Sequence, residues 1–202
     1  MDEFSQRLDQ NAEQALRTII GKLNVGFYFP EAWIRVHREG VDVSSVSIPT
    51  GKNTFVVITC EWADTLKDYI DVYYLQISID ENPRDITVTP HEDGPSGCAF
   101  SHVSMINTGD WTIVEKISVY ETTLIGAHEK VRCDRAILFN YGKGEILVST
   151  GGGTTFDRLE VNHKPEVIAE ILASFVLRKE ITDEIALQTG WAEKAELQRK
   201  EL

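Results

Sequence analysis

Four side chains in one short segment have the chemistry of a metal site: His91, Asp93, Cys98 and His102 fall within a dozen residues. Imidazole, carboxylate and thiolate all ligate zinc, and a loop that folds round an ion draws its order from the binding. However, Cys98-x-x-x-His102 is not a paired CxxC arrangement, and one cysteine is too few for the common structural centres. No metal ligands are assigned. The run Gly151-Gly152-Gly153, with Ser149, Thr150, Thr154 and Thr155 around it, has the backbone freedom of a phosphate loop. It lacks both GxxxxGKS/T and GxGxxG spacing, and a strand rather than a helix is expected after it. It therefore reads as a flexible turn. Nucleophilic catalysis needs a Ser or Cys, a base and an orienting group. There is no GxSxG elbow, and His37 lies on an apparent strand. No catalytic set and no cofactor are assigned.

Charge is the more informative chemistry. The 202 residues carry 32 acidic and 20 basic side chains, a net charge of −12. Glu61, Asp64, Asp68, Asp71, Asp80, Glu81, Asp85, Glu92 and Asp93 fall within one stretch, opposed only by Lys67 and Arg84, a net of −7. Nucleic-acid affinity comes mostly from cations set against phosphates, so the overall field disfavours nucleic acid and anionic membranes. Tyr69, Tyr73 and Tyr74 lie among these acids. Aromatics anchor interfaces, and complementary charge speeds association. The expected partner-binding residues are Glu61, Asp64, Asp68, Asp71, Tyr73, Asp80 and Glu81, and the expected partner is a basic protein.

A different chemistry is suggested near the end of the chain. In Thr182-Asp183-Glu184-Ile185-Ala186-Leu187-Gln188-Thr189-Gly190-Trp191, Ala186, Gly190 and Trp191 sit at characteristic spacing. The stretch resembles the first half of a bacterial helix-turn-helix. There an alanine marks the helix contact, a glycine four residues later makes the turn, and an apolar residue follows. The second helix departs from the pattern. Glu196 and Arg199 occupy its buried positions, and Glu193, Glu196 and Glu201 would face the phosphates. The resemblance implies a DNA-binding regulator using residues 182–202. The plain structural reading is a terminal helix with a glycine break.

The elements that must position these groups follow from periodicity. Phe4, Leu8, Ala12, Ala15, Leu16, Ile19, Ile20 and Leu23 recur at steps of three and four, which predicts an N-terminal helix. Short β-branched runs broken by Pro30, Gly40 and Pro49 predict strands over 25–29, 32–37 and 41–48. Residues 54–62 are apolar on both faces, as in an internal strand; residues 69–80 have one apolar and one polar face. Residues 84–89 follow Asn82-Pro83 as a strand, and 90–110 lose period two and read as irregular. Strands are expected again over 113–123, 136–141, 145–150 and 156–161, with Gly142-Lys143-Gly144 as a hairpin turn. Pro165 opens a helix with Val167, Ile168, Ile171, Leu172, Phe175 and Val176 on its apolar face. Thr182 starts a second helix through Leu202.

The expected fold is therefore α+β. It has an N-terminal helix, a central, mainly antiparallel sheet of about seven to ten strands, and C-terminal helices on or beyond the sheet. Residues 1–202 read as one domain with 182–202 as an appended helical tail. Cys60, Cys98 and Cys133 are few and widely spaced, as in a reducing compartment. Neither a leader pattern nor an apolar run of membrane-spanning length is present. The expectation is a soluble cytoplasmic protein whose sequence pattern does not require a dimer. The leading function is a non-catalytic protein-binding module, with an immunity-type inhibitor as the specific form. The alternatives are an enzyme or small-ligand protein with a pocket between sheet and helices, and the DNA-binding regulator.

Overall fold

The computed structural model of the chain describes residues 1–23, 25–34, 40–90, 98–101, 103–108, 112–142, 144–151 and 158–182. In chain order the elements are β1 (Asp2–Gln6), α1 (Gln10–Arg17), β2 (Gly26–Phe29), β3 (Ala32–Ile34), β4 (Val41–Val43), β5 (Ser45–Gly51), β6 (Thr54–Asp64), β7 (Asp71–Asp80), β8 (Thr87–Pro90), β9 (Cys98–Ser101), β10 (Ser104–Asn107), β11 (Val114–Ile125), β12 (Glu129–Tyr141), β13 (Gly144–Thr150), β14 (Leu159–Asn162), α2 (Pro165–Leu172) and β15 (Val176–Thr182).

Two sheets carry the molecule. The larger runs β15-β11-β12-β13-β14-β4-β3, with β1 added in parallel beside the first half of β12. The smaller runs β10-β2-β5-β6-β7, and β8 and β9 form a separate ribbon. Both large sheets bury side chains in one core. Phe27, Ile48, Ile58 and Leu75 come from the smaller sheet, Ile117, Ile137, Phe139 and Val148 from the larger, and Leu16 and Ile19 from α1 and the turn after it. Phe27 and Phe139 meet edge to face, with centroids 5.0 Å apart. On the other side of the larger sheet, Ile168 of α2 covers Ala136, Leu138 and Leu147. Successive residues of β12 thus serve two cores, which explains the unbroken apolar run 136–139.

The α+β expectation is overturned: the protein is mostly β, with two helices of eight residues each among the described residues. The predicted N-terminal helix is shorter than its pattern. Phe4 belongs to β1, where it pairs with Val131, and the helix begins only after Asp9, whose side chain accepts the Ala12 N–H at 2.8 Å. At the other end, Pro165 does start a helix, but the chain returns to strand at Val176 and Thr182 closes β15 instead of opening a helix. A three- and four-residue apolar rhythm reads equally as a helix face or as the end of one element joined to the next. Backbone pairing with the distant β11 and β12 decided for strand. The segment 90–110, expected to be irregular, contributes β9 and β10. Residues 183–202, and with them the helix-turn-helix resemblance, lie outside the described residues, as does His37. No helix among the described residues is long and apolar enough to cross a membrane.

The N-terminal segment is fastened by charge as well as packing. Opposite β11, the register skips one residue in β12 (Arg135) and one in β15 (Arg178), both beside Tyr120. Such bulges re-aim side chains. Arg178 turns onto the fully buried Asp134, Nε and Nη2 each 2.7 Å from a carboxylate oxygen, and reaches Glu13 of α1 at 3.2 Å. Lys179 also bonds Glu13, and the Leu8 N–H donates to Asp134 at 2.8 Å. Burial pushes the Asp134 carboxyl up, and the Arg178 and Leu8 bonds pull against it.

Candidate functional site

The predicted partner-binding residues all lie on or beside the β6–β7 hairpin, but they do not form one patch. The two strands pair in unbroken register from Phe55 opposite Asp80 to Asp64 opposite Asp71. Side chains alternate along a strand, so Asp64, Trp62, Asp71 and Tyr73 share one face and Glu61 lies on the other. Asp64 and Asp71 are directly opposed, both exposed, and Asp71 accepts the Trp62 indole N–H at 2.9 Å. Tyr73 is half-buried against the core. Asp80 lies at the far end of β7, nine residues from Asp71 and so about 30 Å away, where it accepts the Ser78 hydroxyl at 2.8 Å. Exposed Glu81 follows it. The half-buried Glu61 accepts a long bond from Thr59 at 3.4 Å. Asp64, Asp68 and Asp71 therefore cluster at the turn, while Asp80 and Glu81 stand apart.

Asp68 is committed internally. Its Oδ2 accepts the backbone N–H groups of His128 and Glu129, both at 2.7 Å, and its Oδ1 meets the His128 ring nitrogen at 2.8 Å. In return Glu129 Oε2 accepts the backbone N–H groups of Lys67 and Asp68 at 3.0 and 2.8 Å. Each carboxylate thus caps the turn of the other hairpin. Gly126 makes the approach possible, because a Cβ there would lie 2.2 Å from Asp68 Oδ2. The His128 N–H, with the other bonds, holds the Asp68 carboxyl below its ordinary value. Burial raises Glu129, but the Thr65 hydroxyl and the two N–H groups outweigh it and leave that carboxyl low as well. Sequence reasoning missed Gly126, His128 and Glu129. The residues sit 60 positions from their partners, and the 126–128 turn has no recognisable signature beyond its glycine.

The clasp holds out a mixed surface. Leu66 and Tyr69, in the turn, are 81% and 75% exposed, and Trp62 is 50% exposed. Tyr69 takes a left-handed φ of 51°, a strained choice for an aromatic residue. Phe4 of β1 and Ile125 of the neighbouring hairpin are exposed as well. The nearby cations are already engaged, Lys67 with Asp2 at 2.6 Å and Lys130 with Glu3 at 3.0 Å.

A second feature is a cleft of about 750 Å³ at the end of the larger sheet, lined by Lys116, Asn140, Tyr141, Glu145, His163 and Thr182 among others. Asn140 donates to Glu145 at 2.5 Å, and its buried Oδ1 has no hydrogen-bond partner among the described residues. Burial pushes the Tyr141 hydroxyl up.

His91, Asp93 and His102 lie outside the described residues, and Cys98 is placed on β9 by its backbone alone. Among the described residues no three His, Cys, Asp or Glu side chains converge as metal ligands. Residues 152 and 153 of the glycine run also fall outside the description. Compared with protein-family models, curated proteins and solved structures, the chain matches none.

Proposed function

We propose that this protein is a non-catalytic binding module that receives a basic protein partner on the turn end of its β6–β7 hairpin. One observation carries the reading: Asp64 and Asp71 oppose each other beside the exposed Trp62. Like charges directly across a strand pair destabilise it, and exposed large apolar groups in a cluster mark contact surfaces. The arrangement works against folding and suits a cationic partner. An immunity-type inhibitor that neutralises a basic protein fits this character. A cytoplasmic setting agrees with Cys60 and Cys133, which are buried and form no disulfide among the described residues.

The test is a comparative pull-down from source-cell lysate with the wild type and Asp64→Lys/Asp71→Lys. A basic protein held at low salt by the wild type, released at high salt and missed by the folded variant is the expected result. Equal capture by both proteins would refute the proposal. The second reading, a small polar ligand in the cleft, is carried by the convergence of Lys116, Asn140, Glu145 and His163 on its lining. A thermal-shift screen would support it through a hit that Asn140→Leu abolishes.

A further inference from the structure

The cleft continues the α2 face of the larger sheet beyond Pro165, where the helix begins. Lys116, Asn140 and Glu145 pair in register across β11, β12 and β13, so their side chains leave the sheet on one side. Two residues along, Leu138 and Leu147 leave it on that side too and lie under Ile168 of α2. The register of β11 steps from Val114 opposite Tyr141 to Lys116 opposite Asn140, which leaves Glu115 as an extra residue. A bulge of this kind re-aims a side chain, and Glu115 joins the lining. Lys116 is engaged by Glu180 at 2.8 Å. Glu115 and Glu145 are both half-buried. Glu145 accepts the Asn140 amide, and neither carboxylate has a cationic partner among the described residues. The strands β11 and β13 flank β12 at about 4.8 Å each, so the two acids arise from backbones about 10 Å apart, with the uncharged Asn140 and Tyr141 between them.

We propose that the cleft binds a small aliphatic diamine or polyamine, one ammonium at Glu115, another at Glu145 and the methylene chain across Asn140 and Tyr141. The inference rests on the cleft reading above and names its ligand class. Carboxylates partly withdrawn from water gain most from a cation that comes to them, and an apolar stem can lie along the Tyr141 ring while its charged ends stay wet. A volume of about 750 Å³ holds such a chain with room for water at its ends. An anion would meet two like charges on the lining, and a monoamine would leave one of them unanswered.

The test uses the full chain, followed by amide NMR at low salt, with 1,7-diaminoheptane, heptylamine and 1,3-diaminopropane. The long diamine reaches across the two strand spacings, the monoamine has its stem and one charge, and the short diamine has both charges without the reach. The long diamine should bind about tenfold more tightly than either, the worth of one further charge-assisted contact. Its shifts should centre on Glu115, Lys116, Asn140 and Glu145. Glu115→Gln and Glu145→Gln, each confirmed folded by its thermal melt, should bring it down to the monoamine, and Asp80→Asn/Glu81→Gln should leave it unchanged. Equal affinity for the three amines, or shifts centred on Asp64 and Asp71, would mark unspecific attraction to an acidic surface and overturn the proposal. Glycerol or glutarate shifting the lining where the amines do not would overturn the diamine and leave the cleft reading standing. If none of these compounds shifts the lining, both fall.

Discussion

Removing the Asp134 carboxylate should be among the most damaging single changes to this fold. Asp134 is fully buried and receives both forks of Arg178 at 2.7 Å and the Leu8 N–H at 2.8 Å. In Asp134→Ala the Arg178 guanidinium would stay largely enclosed, with Glu13 at 3.2 Å as its remaining partner. Breaking one side of a buried pair costs about 3–5 kcal/mol. At about 2–4 °C per kcal/mol for a chain of this size, the melting temperature should fall by roughly 6–20 °C. Replacing the pair by apolar groups, as in Asp134→Leu/Arg178→Met, should recover most of that loss, since such exchanges are often neutral. It should stop short of wild type by about 1–3 kcal/mol, because the Leu8 N–H loses its acceptor. Urea unfolding of wild type, both single variants and the double closes the cycle. Single losses below about 1 kcal/mol, or a double variant as unstable as the two singles added together, would refute the coupled network.

The hairpin clasp makes further predictions. Gly126→Ala drives a Cβ to 2.2 Å from Asp68 Oδ2, so it should destabilise the protein about as much as Asp68→Ala, and adding it to that variant should change little; full additivity in thermal melts would refute the contact. Both clasp carboxyls are held below their ordinary values. Their contribution to stability is therefore present above the unfolded-state values of 3.8 and 4.5 and lost as pH falls through the lower folded-state values. Urea midpoints measured downward from pH 6 should drop in that acid range, and less steeply in Glu129→Gln. The Cys133 thiol is pushed up to about 11, first by burial, so mass mapping should find it unalkylated at pH 8 until denaturant is added.

Elements whose pattern is local are legible in the residues alone. The patterns of 54–62 and 69–80 predict two strands, the first internal, as β6 and β7 are, with the acidic residues along and beside them; their pairing came from the structure. Pro165 marks the start of α2, and Leu8, Ala12, Ala15, Leu16, Ile19 and Ile20 are buried as their stripe implies. The tertiary structure alone decided that Phe4 and Val176 join strands, because a parallel or edge strand draws its bonds from β12 and β11, which are far away in the chain. It alone placed Arg135 and Arg178 on bulges and separated Asp80 from Asp71 by the length of a strand. It also gave Asp68, one of the expected partner-binding residues, a structural task as the cap of another hairpin's turn. Periodicity reports which face of a segment is apolar. It carries no information about which distant backbone will meet that segment, and the clasp is built from such a meeting.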